Sequence, residues 1–197
     1  MPRQIMSGFE YLAALISMVA ALGIARGLSG FAQIIHSKDS IQVSFVQILW
    51  TINSLLWLMT FWWFTFILTE VAAWTFPLLV FTTAYAAVIY LLIALLNPEP
   101  LAEGTDLSEY FLKYRKWFFG IFLAMLVIDV FDTTIKGFTT ESGTPPLAPY
   151  SVFLTVWAAV GITGYISTSM KTQFLAAVVF FFAVTIWSTN MLFDMMV

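Results

Sequence analysis

The chain has 197 residues, 61% of them hydrophobic and 10% charged, with a mean hydropathy of +0.92. Soluble domains carry about 25% charged residues, so this composition excludes a water-soluble globule. With no cysteine, a lone His36 and a net charge of −3, the chain offers no thiolate metal site, disulfide framework or bis-histidine haem, and no basic footprint for nucleic acid. No cofactor is expected.

A helix crosses a bilayer with about 20 mostly apolar residues. Six such runs, at 9–35, 41–68, 72–96, 117–140, 150–168 and 173–195, predict an all-α membrane protein. The expected form is a compact bundle of six transmembrane helices, with residues 1–197 as a single transmembrane domain. Arg3 ahead of helix 1 has the look of an export signal. Glu10 interrupts that pattern, however, and Arg26 and Lys38 follow the apolar stretch, so the run reads as a spanning helix. Ala20, Gly23, Gly27 and Gly30 give helix 1 a small-residue face, which allows close approach of another helix.

Helix 2 carries Trp50, Trp57, Trp62 and Trp63. Trp62 and Trp63, with Trp74 across the following turn, sit where an interfacial belt belongs, whereas Trp50, Trp57 and Trp187 fall deeper and predict packing inside the bundle. Helix 3 ends at Asn97-Pro98-Glu99-Pro100. Within the hydrophilic segment 97–116, Asp106 is an N-cap with Glu109 three positions on, and Leu107, Phe111 and Tyr114 share a face apart from Glu109 and Lys113. That pattern predicts a short amphipathic cytoplasmic helix between helices 3 and 4.

Helix 4 holds Asp129, Asp132 and Lys136 at i, i+3, i+7, one polar stripe. After the turn-rich segment 141–149, helix 5 offers Ala158, Gly161, Gly164 and Ser167, a second small-residue face. Helices 1 and 5 are therefore expected to be central, and to be the faces through which a homo-oligomer or membrane-complex partner would associate, besides the lipid bilayer itself. Phe180, Phe181 and Phe182 on helix 6 read as lipid-facing. Lys38, Lys113, Arg115, Lys116 and Lys171 share one side and Arg3 and Lys136 the other. The basic side is the cytoplasmic one, which puts both termini outside an inner, or plasma, membrane of bacterial type.

A charge at mid-membrane costs about 2.5–3.5 kcal/mol even on the milder scale. By helical rise from the basic side, Arg26 lies about 13 Å deep, Asn53 and Asp129 about 18 Å, and Asp132 about 22 Å. Arg26, Asn53, Asp129, Asp132 and Lys136 are therefore expected to form one intramembrane cluster, Arg26 pairing with Asp129, and Asp132 bonding either Lys136 one turn away or a hydroxyl or amide group. Two carboxylates one turn apart in a low dielectric make a candidate proton or ligand site. Asp129-x2-Asp132 resembles, in those two residues, the Asp-x2-Asp sites of membrane prenyltransferases and phosphatidyltransferases. Thr133 stands where the latter have glycine, and a second Asp-rich motif is missing, so the resemblance transfers no activity. With no nucleophile–base set or P-loop either, an enzyme is not expected. The reading is a small carrier or channel, and the alternative is a non-catalytic subunit of a larger membrane complex.

Overall fold

A computed structural model of the protein describes residues 8–71, 75–139, 145 and 147–196. Among the described residues there are six α-helices: α1 (Gly8–His36), α2 (Phe45–Phe64, continued by a 3-10 turn over Thr65–Glu70), α3 (Phe76–Leu96), α4 (Leu107–Thr139), α5 (Leu147–Ile166) and α6 (Met170–Met196). Each is long and apolar enough to cross a membrane, and the chain reads as an integral membrane protein. Arg3 and Trp74, invoked for topology and for the aromatic belt, lie outside the described residues.

Local chemistry sets the helix starts. The Ser44 side chain caps α2 by accepting from Gln47 N–H, which places the start at 45 rather than 41. Residues ahead of it are tied elsewhere: Gln42 bridges to Asp106, its N–H donating to Thr105 O and its carbonyl accepting from Leu107 N–H. Pro77 occupies the first turn of α3, where its missing N–H removes no helical bond. The Asp106 carboxylate accepts from Ser108 and Glu109 N–H at 2.7 and 3.2 Å, as its N-cap role requires. From there α4 runs unbroken to Thr139, so the segment expected as a short amphipathic helix forms the first turns of α4. Leu107 and Phe111 in those turns are fully buried.

The helices alternate in direction. The lower end of the bundle is where α1, α3 and α5 finish, and the upper end is where α2 and α4 finish. In packing order α2, α3, α4, α5 and α6 form a closed ring, α6 returning to lie parallel to α2, and α1 fills the outer groove between α2 and α3. The expectation that helices 1 and 5 are central is corrected here. Of the residues in the apolar stretch of α2, 56% are buried, against 28% in α1 and in α5. Glycine faces bring a helix close to its neighbour without making it central. Gly23 abuts Leu58 and Ile93, Gly27 abuts Leu55, and Gly161 and Gly164 abut Leu123 and Phe119 of α4.

The lower half of the core is aromatic. Trp50 is fully buried, its ring meeting Phe118, Phe119 and Phe122 edge-on at 5.2, 5.2 and 5.4 Å and Phe180 face-on at 5.9 Å. Phe180, expected to face lipid, is thus a core residue, whereas Phe182 on the opposite face is exposed. Such pairs contribute about 0.5–1.5 kcal/mol each beyond area burial, and this matters where lipid removes the hydrophobic drive between helices.

A Cβ at Gly164 would land on the Phe119 ring, while one at Gly120 meets nothing within 4 Å. Gly164→Ala is therefore expected to lower stability by about 1–3 kcal/mol through overpacking, and Gly120→Ala to change it by less than about 0.5 kcal/mol. Reversible unfolding in mixed micelles measures both.

Candidate functional site

The inward stripe of α4 continues at spacings of four and three from Phe118 through Phe122 and Met125 to Asp129, Asp132 and Lys136. Its lower part is apolar and its upper part charged. Lys136 Nζ meets Asp132 Oδ2 at 2.5 Å, one turn away, and both side chains are buried. Of the partners expected for Asp132, it is therefore Lys136 that it bonds.

Asp129 is answered differently. Tyr85 of α3 donates its hydroxyl to Asp129 Oδ1 at 2.9 Å, and Tyr150 of α5 donates to Oδ2 at 3.1 Å. Tyr150 has a single proton, so its other contact, to Thr133 Oγ1 at 3.1 Å, is a bond that it accepts. Tyr85 in turn accepts from the Trp57 indole N–H of α2 at 3.3 Å. Four helices thus converge on one carboxylate, with Trp187 of α6 closing the wall.

These groups line a cavity of about 50 Å³ together with Phe64, Ile67 and Pro145 from the upper end of the bundle. A space of that size holds one water or slightly more. Around it stand two carboxylates, two phenols and one ammonium. With Asp129, Asp132 and Lys136 all ionised, these three carry one negative charge in excess among the described residues. Among the described residues no three His, Asp or Glu side chains come together as a metal-binding set.

Two members of the expected cluster are not part of this site. Arg26 does not reach Asp129. Its guanidinium donates to the Asn97 carbonyl and pairs with Glu99 at the lower end. The cause is packing order: α1 lies against α2 and α3, on the far side of α3 from α4, and a long arginine stem lets the head reach the polar chain end. Asn53, expected at the level of Asp129, lies lower, beside Phe122 and Met125 and beneath Trp57, and donates its amide to Ala177 O of α6 at 2.9 Å.

Conversely, Tyr85 and Tyr150 are not singled out by the sequence, in which Trp57 reads as a packing residue and Thr133 as a departure from a motif rather than as members of this site. Tyr85, in the middle of a spanning helix, is itself a signal, because its hydroxyl needs a polar partner in a dry interior, whereas Tyr150 in the first turn of α5 gives none. No family model matches the chain, and neither a curated protein nor a solved structure matches it significantly.

Asp132→Leu removes the carboxylate bonded to the buried Lys136 ammonium and is expected to cost about 3–5 kcal/mol, whereas the double variant Asp132→Leu/Lys136→Met restores most of the loss. A double-mutant cycle on unfolding in micelles reads the difference. Arg26→Gln is expected to cost at most about 1 kcal/mol, since its partner Glu99 is half-exposed.

Proposed function

We propose that the chain is a small membrane carrier or channel, not an enzyme, and that Asp129 is the group through which it takes up and releases a proton. The observation that carries this reading is the mismatch of charge and partners around Asp129. Both its oxygens accept from neutral phenols, while the nearby ammonium is bonded to Asp132. Intramembrane acids are normally matched by a cation or a proton, and a proton is what a cavity of about 50 Å³ can supply through water. Each phenol can keep its bond as the carboxyl changes state, because a hydroxyl can either donate or accept. Among the described residues, the titratable and charged groups facing Asp129 are Tyr85 from α3, Tyr150 from α5, and Asp132 and Lys136 from α4.

The basic residues support the lower end as the cytoplasmic one. Lys38, Lys113, Arg115, Lys116 and Lys171 all belong to that end, and Lys136 of the upper end is held inside the protein by Asp132. On this reading both termini face outward from a bacterial inner membrane, the first turns of α4 lie at the cytoplasmic surface, and the Asp129 cavity faces the outside. The alternative, a non-catalytic subunit that associates through helices 1 and 5, has less support because Gly23, Gly27, Gly161 and Gly164 all face neighbours within the chain.

The test is proton flux into proteoliposomes after a pH step, with the voltage clamped by a potassium ionophore and an internal dye as the readout. Asp129→Asn is expected to slow flux about ten- to hundredfold, and Tyr85→Phe or Tyr150→Phe about tenfold, as expected for losing a bond to a charged group worth about 1.5–3 kcal/mol. Wild-type flux no faster than that of empty vesicles overturns the reading.

A further inference from the structure

Beneath the Asp129 cavity lies a second void, between α2, α3, α4 and α6, walled by Trp50, Asn53, Ser54, Trp57, Met125 and Phe180 together with other apolar side chains. It is too small to admit a water. Two of the residues that wall it nevertheless carry a buried polar atom with no hydrogen-bond partner among the described residues, the indole Nε1 of Trp50 and the side-chain Oδ1 of Asn53. One turn lower the pattern repeats. Gln47 precedes Trp50 by three positions on α2, and Gln173 precedes Ala177, the acceptor of the Asn53 amide, by four on the parallel α6. Both glutamines are at most 1% exposed. Their amide nitrogens donate to main-chain carbonyls of Leu96 and of Gly164 and Ser167, and their Oε1 atoms are unpartnered.

A buried polar atom left without a bond costs about 1–3 kcal/mol, and native interiors keep few of them. Here two belong to residues that wall the void at the α2–α6 seam, and two more, on Gln47 and Gln173, whose amides turn to α3 and to the end of α5, lie lower on the same helices. The void adjoins the Asp129 cavity at Trp57, whose ring lines both spaces. That ring is held by its bond to the Tyr85 hydroxyl and by Phe153, Trp157 and Phe180 around it.

We infer that the α2–α6 seam is a gated water path from the Asp129 cavity to the lower end of the bundle, with the Trp57 indole as its gate. The inference rests on the proton-binding reading of Asp129 and supplies the route by which that proton leaves. With Trp57 turned off Tyr85, the two spaces join, and Trp50 Nε1 and Asn53 Oδ1 become the donor and acceptor that an internal water requires. The Asp129 O–H bond then breaks, the proton passes to water and along the seam as an excess proton, and the carboxylate is reprotonated from the upper cavity.

The chain has no cysteine, so Ser54→Cys places a single thiol in the void. Its reaction with silver ion is read in the folded full-length protein in liposomes, by loss of alkylation after denaturation. The thiol is expected to react, and to react about tenfold faster when Trp57→Ala is added, the equivalent of about 1.4 kcal/mol off the opening equilibrium. Trp57→Phe keeps the bulk of the ring and loses the Tyr85 bond, and is expected to accelerate the reaction if Trp57→Ala does not fold. Asn53→Leu is expected to slow proton flux about tenfold or more, as for a lost buried bond. A thiol inert in every background, with Asn53→Leu conducting like the wild type, overturns the path even where Asp129→Asn abolishes flux. Unchanged flux in Asp129→Asn instead overturns the proton-binding reading, and the silver reaction still decides whether the seam is wetted.

Discussion

A carboxylate in the middle of a spanning helix cannot be left unanswered, and the partners that Asp129 finds organise the upper half of this bundle. Tyr85 and Tyr150 bring α3 and α5 onto either side of α4, and the Trp57 indole behind Tyr85 adds α2 to the same hydrogen-bonded set. The bonds are made in a region of low dielectric, where a polar group gains more from a partner and loses more without one. Asp132 is bonded to Lys136 on α4, and Asp129 takes its hydrogen bonds from the hydroxyl groups of Tyr85 and Tyr150.

The lower half is held by different means. Trp50, Phe118, Phe119, Phe122 and Phe180 interlock edge to face, and glycines on α1 and α5 let those helices approach closely. Dispersion between close-packed rings takes the place of the hydrophobic effect, which lipid cannot supply. Arg26 belongs to this half. It ties α1 to the end of α3 and to the following connection through Asn97 and Glu99, close to where the α1–α2 and α3–α4 connections bridge at Gln42 and Asp106.

Trp57 is where the two halves meet. It joins the aromatic core by its ring and the polar network by its N–H, so a displacement of the indole disturbs both together. A charged, water-sized cavity above a tightly packed aromatic layer has the asymmetry of a site accessible from one end. The proposed function asks of the structure a way through that layer, and the unpartnered polar atoms along α2 and α6 mark where one can open.

The existence of six spans, the Asp106 cap, the interior placement of Trp50, Trp57 and Trp187, and the Asp129, Asp132, Lys136 stripe were all legible in the residue order. Each depends on spacing along a single helix, which the 3.6-residue period fixes locally. The Asp132–Lys136 pair is legible for the same reason, being an i,i+4 contact. The partners of Arg26, Asn53 and Asp129 were not. They depend on which helices are neighbours and at what relative height, and depth counted from helix ends places residues at a level without saying which sides of the bundle they occupy. Arg26 and Asp129 fall within one slab by that count, yet α3 stands between their helices. Packing order in a membrane is set by shape, by glycine contacts and by which hydroxyl finds which carboxylate, and those choices are made between segments far apart in the chain.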